Sequence, residues 1–285
     1  MAAADVTLDE LRPLLFSLAY RMVGVIGDAE DLVQEAYLRF HREQDRVDAP
    51  KAFLTTVVAR LAIDHLRSAR ARRETYFGHW VPEPLVGSPA DRVEDDETLS
   101  LAFMAVLERL TPVERAVFVL HEVLDYSHDE IAAIVEKSPA NSRKLLVRAR
   151  RRLERGRPRF EPSRERREAL LARFLDAVRA GDVDGLIDLL AADAVSYADG
   201  GGKAPATPLP IFGAEKVARL WARLGRDTPY ALEPVDVNGQ PGVVARGDDG
   251  GVAGILTLGV ADGRVQTVWA VVNPDKLVRV PAGAQ

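Results

Sequence analysis

The sequence predicts a multidomain fold: two all-α modules, the second carrying a helix-turn-helix, followed by an α+β domain. Three observations predict it. Two capped helices stand close together at residues 127–155, and basic residues crowd onto the second of them. Beyond residue 166, helical periodicity gives way to strand-like runs separated by Gly-containing turns. A length of 285 residues suits two or three domains.

The paired helices are the most informative stretch. Ser127 with Glu130 three residues on forms a capping box that opens a short helix. Ser138 followed by Pro139 reads as an N-cap with Pro at the first helical position, and only Glu136-Lys137 separates the two helices. Such a pair makes a helix-turn-helix, whose second member enters the DNA major groove. From Lys137 to Arg159 there are ten cations and one acid, Glu154. A solvated helix face would mix its signs, so this run points to nucleic acid. Asn141, Arg143, Lys144 and Arg148 follow the Ser138 cap and are expected at base edges. Arg151 and Arg152, further along, are expected at phosphates, with Arg150 and Arg155.

The rest of the chain frames that module. Net charge is −5, which argues against a general nucleic-acid coat; residues 77–99 carry one basic and six acidic residues, and residues 161–285 carry 14 and 17. Cysteine is absent, which excludes disulfides and thiolate sites. Asp5, Asp9 and Glu10 occupy the place of a basic signal-peptide start, and no apolar run approaches the roughly 20 residues of a membrane span. A soluble cytoplasmic protein is expected.

In the first module, Leu11–Val23 has helical period and Gly24–Gly27 breaks it. Asp28 is the expected N-cap of the next helix, whose apolar face is Leu32, Val33, Ala36, Tyr37 and Phe40. Its exposed face holds Glu30, Asp31, Gln34 and Glu35, which by itself is ordinary dipole complementation. Pro50 opens a long helix to Arg73, on which Arg60, Asp64, Arg67 and Arg70 share one face. A basic end here and another about 70 residues on could contact two separated DNA elements.

Residues 28–40, Asp-Ala-Glu-Asp-Leu-Val-Gln-Glu-Ala-Tyr-Leu-Arg-Phe, resemble the core-polymerase-binding helix of bacterial sigma factors. Residues 51–73 resemble the helix that recognises and melts the −10 element, and residues 100–155 the domain that reads the −35 element. With no third domain between them, the arrangement resembles the extracytoplasmic-function (ECF) group. The resemblance implies sigma region 2 over residues 1–76, an acidic Pro-containing linker over 77–99 and region 4 over 100–160. It implies core RNA polymerase as partner, through the β′ clamp coiled coil and the β flap, with Asp31, Gln34 and Glu35 at the clamp. It implies promoter DNA too, with a −35 element of TGTCA type and a −10 element of CGTC type; Arg60, Asp64, Arg67 and Arg70 would meet the latter, and the Glu43–Ala49 loop would capture an unstacked base.

In the linker, Trp80-Val-Pro-Glu-Pro84 resembles a motif of the SigJ-like subgroup, whose members carry a fused C-terminal SnoaL-like domain. Residues 166–285 fit that addition. Helices are expected at 166–179, stopped by Gly181, at about 182–190 and at 213–224; strands follow at 231–237, 242–246, 252–260 and 264–272. Helices before an antiparallel meander make an α+β domain, similar to the SnoaL/NTF2-like cone that encloses a pocket. Asp199-Gly200-Gly201-Gly202-Lys203 and Asn273-Pro274-Asp275-Lys276-Leu277 resemble two further subgroup motifs. With Trp80 and Pro82 they are the expected regulatory interdomain contacts. A separate anti-sigma protein is then not required, and the cone pocket leaves room for a small-molecule ligand.

The alternative is a DNA-binding carrier of a SnoaL-type ligand-binding or cyclase/isomerase domain. Such enzymes use carboxylates or histidines in the cone. All five histidines precede residue 129, and an Asp before three glycines is a turn residue more often than an acid. Lys203 lacks the strand–loop–helix context of a phosphate loop, and no metal-ligand cluster is evident. No catalytic residue, cofactor or metal is expected.

Overall fold

The computed structural model describes residues 8–73, 76–87, 99–154, 163–227 and 230–281, with the side chains of residues 69–73, 154 and 227 left aside. The chain divides into two compact units. The first comprises Met1–Glu74, Pro89–Thr98 and Met104–Gly156; the second comprises Thr75–Ser88, Leu99–Phe103 and Arg157–Gln285.

The first unit is helical. α1 (Leu8–Val23), α2 (Ile26–Glu43) and α3 (Pro50–Arg73) pack on one another through Leu15, Leu18, Met22, Ala29, Val33, Leu54 and Val58. The expected Asp28 cap is not formed. α2 starts three residues earlier than that cap would place it, after an extended Val25, because Gly24 takes a positive φ and its N–H bonds back to Tyr20, so the chain re-enters a helix at once. Asp28 lies inside the first turn, 3.1 Å from His65 of α3.

α4 (Leu101–Leu107) precedes α5 (Pro112–Glu122), which opens with a capping box between Thr111 and Glu114. α6 (His128–Ile134) opens with the Ser127–Glu130 box and α7 (Pro139–Glu154) follows Ser138. Between them Glu136 sits at φ +54° and Lys137 N–H returns to Ala132 O, which turns the chain sharply enough for the two helices to cross. Helices α5, α6 and α7 share a core of Phe118, Ile131, Leu146, Ala149 and Leu153.

In the second unit α8 (Arg164–Ala180), α9 (Val183–Leu189) and α10 (Ala214–Asp227) lie against one face of a six-stranded sheet. Gly181, left-handed at φ +63°, ends α8 where the pattern predicted. The strands are β1 (Leu190–Asp199), β2 (Ile211–Phe212), β3 (Ala231–Val237), β4 (Gln240–Arg246), β5 (Val252–Ala261) and β6 (Arg264–Val271), in the order β2-β1-β6-β5-β4-β3. The expected meander is its second half, β3 to β6. The sheet as a whole is mixed, because β1 inserts beside β6 in parallel, with Tyr197 opposite Trp269 and Asp199 opposite Val271. Alternation along the strands directs Ala194, Val243, Leu256, Leu258 and Val268 to the helices, where Phe174, Leu186, Leu190 and Trp221 fill the space.

Candidate nucleic-acid interface

α7 has two faces of different chemistry. Ser142, Leu146, Ala149 and Leu153, spaced four, three and four, are buried. Ser138 Oγ accepts the Asn141 N–H at 3.2 Å, and Ser142 Oγ lies 3.0 Å from Nδ1 of His128, which fixes α7 on the start of α6. The His128 ring also lies against that of His121, tilted by 30°, their centroids 4.7 Å apart. Burial, with His121, Arg143 and Arg150 close by, holds its pKa below the usual histidine value, so it stays neutral at pH 7. The opposite face exposes Asn141, Arg143, Lys144, Arg148 and Arg151. Among the described residues, no ion pair engages these four cations.

Two other cations of α7 are committed to α5. Arg150 meets Glu122 at 2.6 Å and Arg152 meets Glu114 at 2.5 Å. Burial pushes the Glu122 carboxyl up, but the Arg150 and His121 hydrogen bonds outweigh it and hold its pKa below the carboxylate range. Glu114 is only 4 % exposed and also closes the Thr111 capping box. Arg152, expected at a phosphate, instead braces α7 against α5, because a buried carboxylate needs a partner. Arg155 lies outside the described residues.

On α2, Asp31 and Gln34 are exposed, and Glu35 pairs with Arg39 four residues on at 2.8 Å. Leu38, 46 % exposed, completes the same stripe at i+7 from Asp31, a residue that sequence reasoning missed. The spacing was the available signal. Tyr37 turns away from this face and donates to Leu8 O at 2.8 Å.

α3 differs more from expectation. Asp64 and Arg67 are exposed and paired at 2.9 Å, and the Arg70 side chain lies outside the described residues. Arg60 does not stand free for DNA. Its Nε donates to Ile134 O at 2.9 Å and an Nη to Ala133 O at 3.0 Å, at the C-terminal end of α6, and Glu136 lies 3.2 Å away. The helix end supplies unsatisfied carbonyls, and a guanidinium satisfies them. A reciprocal contact runs the other way. Arg115 of α5, 2 % exposed, donates from Nε to Arg21 O near the end of α1 at 2.7 Å and pairs with Glu108. Tyr126 adds a hydrogen bond to the buried Thr55 of α3 at 3.0 Å. Each helical module thus caps a helix of the other with an arginine.

In the second unit the expected contact residues converge on Asp199. Its Oδ1 accepts from Tyr76 Oη at 2.6 Å and from Gly201 N at 3.1 Å; its Oδ2 accepts from Val81 N at 2.8 Å and from Lys276 Nζ at 2.7 Å. Burial, then the Asp199 hydrogen bond, pushes the Tyr76 hydroxyl well above the usual tyrosine range, so it remains a donor. Lys276 also donates to Val81 O and stands 4.3 Å from the Trp80 ring centroid. Asn273 bonds Tyr76 Oη at 2.9 Å and caps the turn Pro274–Lys276. Lys203 pairs with Asp275 at 2.5 Å, tying the two motifs together. Gly201 is left-handed at φ +58°, and a Cβ there would collide with the Asn273 amide; at Gly200 one would collide with Ala204 O. Pro82 and Glu83 are buried, and residues 85–87 add to the edge of β3 through Val86.

The linker also supplies a histidine to the sheet. The His79 ring lies against Tyr197 at 4.6 Å, tilted by 34°, and Tyr197 stacks on Trp269 at 4.3 Å. By strand alternation this is the face away from α8–α10, so no histidine enters the helix-covered interior.

Residues 8–72 match the Sigma-70 region 2 family and residues 100–153 match Sigma-70, region 4. The chain is 38% identical over 290 residues to the ECF RNA polymerase sigma factor SigJ of Mycobacterium tuberculosis (strain ATCC 25618 / H37Rv), covering 96% of this chain and 93% of that protein. The chain belongs to the ECF RNA polymerase sigma factors. It is similar to the crystal structure of M. tuberculosis SigJ with a TM-score of 0.80 at 36% identity, over 96% of this chain and 98% of that one. It is also 34% identical to the probable ECF sigma factor SigI of M. tuberculosis (strain CDC 1551 / Oshkosh), over 93% of this chain and 92% of that protein. As an ECF sigma factor it binds core RNA polymerase and promoter DNA and directs transcription initiation. No helix among the described residues is long and apolar enough to cross a membrane.

Proposed function

We propose that this sigma factor works in the cytoplasm with its two promoter-reading modules latched to each other, and that its C-terminal domain modulates that latch in cis, without a separate anti-sigma protein. The observation that carries this reading is Arg60: a cation on the −10 helix is occupied by the end of helix α6. Promoter engagement then requires that contact to open, since one guanidinium cannot serve both partners. In the open form Arg60, Asp64, Arg67 and Arg70 meet the −10 element, and Ser138, Asn141, Arg143, Lys144, Arg148 and Arg151 meet the −35 element. Asp31, Gln34, Glu35 and Leu38 meet the β′ clamp coiled coil, and region 4 meets the β flap. The C-terminal domain is carried on the same chain, so its effective concentration is about millimolar and weak contacts are populated.

The C-terminal domain is read as a regulator rather than a catalyst. Both oxygens of Asp199, the best acid in the sequence, already accept two hydrogen bonds each. Among the described strand residues that face the helices, Asp236 has its carboxylate tied to Arg164 of α8, and Ala194, Ser196, Val243, Leu256 and Val268 offer no carboxylate or imidazole for acid–base work. Transcription reconstituted with core polymerase tests the proposal by comparing the full chain with a truncation after Arg159. A several-fold change in promoter output is expected. Equal output in every condition, with equal separation of the two modules by scattering, makes the C-terminal domain a passenger.

A further inference from the structure

α7 carries one exposed residue that its charge does not explain. Val147 is 47 % exposed in the middle of the helix. Its neighbours on the surface are Arg143 and Lys144 one turn before, Arg148 beside it and Arg151 one turn after. With Ala140, Lys144 and Arg151 it forms the stripe i, i+4, i+7, i+11, diametrically opposite the buried Ser142, Leu146, Ala149 and Leu153. A β-branched residue gains nothing there from helix propensity, and packing inside the protein does not occupy it. When the flanking cations reach bases and phosphates on either side, the midline of the stripe faces the floor of the groove. The floor offers one apolar group, the 5-methyl of thymine, which small apolar side chains recognise.

We infer that Val147 is a specificity-determining residue that reads the 5-methyl group of a thymine in the −35 element. Arg143, Lys144 and Arg148 supply the hydrogen bonds to neighbouring bases and phosphates. The inference rests on the assignment of α7 to the −35 element. Thymine differs from uracil by that methyl alone, so the contact can be removed from the DNA side without touching any hydrogen bond.

The test uses holoenzyme made from the full chain and core polymerase. A promoter duplex randomised across the −35 region gives the preferred sequence, and each thymine in it is then replaced by deoxyuridine. Loss of one buried methyl corresponds to about fourfold weaker binding. That loss is expected at one thymine for the wild type and absent for Val147→Ala; Val147→Thr, which keeps one methyl, retains part of it. The alanine variant faces solvent and improves helix propensity, so its fold is retained, as circular dichroism will verify. Deoxyuridine without effect at every position, or equal sensitivity in Val147→Ala, overturns the inference. Holoenzyme carrying Arg143→Ala and Lys144→Ala separates the two levels: if it selects the same −35 sequence with the same affinity, the assignment of α7 itself fails.

Discussion

Lys144 and Lys276 carry the same charge in opposite settings. Lys144 stands in solvent on α7, among arginines of the same sign. Lys276 is 7 % exposed and touches Asp199, Val81 O and the Trp80 ring. A lysine that costs nothing to expose is available for a polyanion, whereas one taken out of water must be paired on every side. The same contrast divides the arginines of the helix-turn-helix. Arg143, Arg148 and Arg151 face outward, while Arg150 and Arg152 are bound to acids of α5. Position along the helix does not separate the outward cations from the paired ones; their partners do.

The contrast is broken most forcefully at the buried pair. Asp199→Ala leaves the Lys276 ammonium and the Tyr76 and Val81 donors without an acceptor, and removing one partner of a buried pair costs about 3–5 kcal/mol. Thermal unfolding should show a markedly lower midpoint for the second unit, and an unchanged midpoint would mean that the hub is not structural. Next in size is the division between Arg143 and Arg152. Arg143→Ala should weaken −35 binding by about 1–3 kcal/mol and relax specificity, with stability unchanged. Arg152→Ala should lower stability, because Glu114 loses its partner, and leave the sequence profile intact. Identical binding profiles for the two variants would erase the distinction.

A third variant pair addresses the cations that join the modules. Arg60→Ala removes half-exposed charge-assisted hydrogen bonds, worth on the order of 1 kcal/mol here after screening. Arg115→Met removes a buried guanidinium, one Nη of which finds no hydrogen-bond partner among the described residues. Both should increase the separation between dyes placed on α2 and α7. Arg115→Met should also raise promoter binding by the free chain, whereas Arg60→Ala should not, because Arg60 is needed at the −10 element. Unmoved distances in both variants would break the latch reading.

The helix-turn-helix was legible because its signals are local: two Ser caps, a Pro and a run of cations within 30 residues. β1 was not legible. Leu-Ala-Ala-Asp-Ala-Val-Ser-Tyr-Ala-Asp is Ala-rich and weak in strand propensity, and its place is fixed by β6, about 70 residues later. The backbone carbonyls that Arg60 and Arg115 reach lie 73 to 94 residues away, beyond the reach of any periodicity. Asp199, expected both in a turn and among the contact residues, does make a turn with Gly201. The three other partners of its side chain, Tyr76, Val81 of the linker and Lys276 beyond β6, lie 77 to 123 residues away, outside any local pattern.

The smallest expected effect sharpens the comparison at a neutral base. Burial, against the pull of Asp199 and with the push of Lys276, holds His79 below its usual pKa. The unfolded chain takes up that proton near pH 6.5 and the folded one resists it. Stability of the second unit should therefore fall as pH drops through about 6.5 and level off below the folded value. His79→Phe, keeping the ring contact with Tyr197, should flatten that part of the profile. The check is the unfolding midpoint at pH 7.5 and 5.5; equal slopes in wild type and variant would show that His79 does not titrate with folding.

The parallel seat of β1 beside β6, with Lys276 just beyond, has a consequence for how the protein is made. Translation completes both promoter-reading modules, and the linker between them, about 120 residues before Lys276. At about 5–20 residues per second, roughly 6–24 s pass on the ribosome between those events. For that interval the helical modules exist as a nascent chain whose linker has no Asp199–Lys276 hub on which to dock. A ribosome stalled within β5 would leave the linker undocked, and synthesis through Lys276, just past the last strand, would be the step that completes its seat.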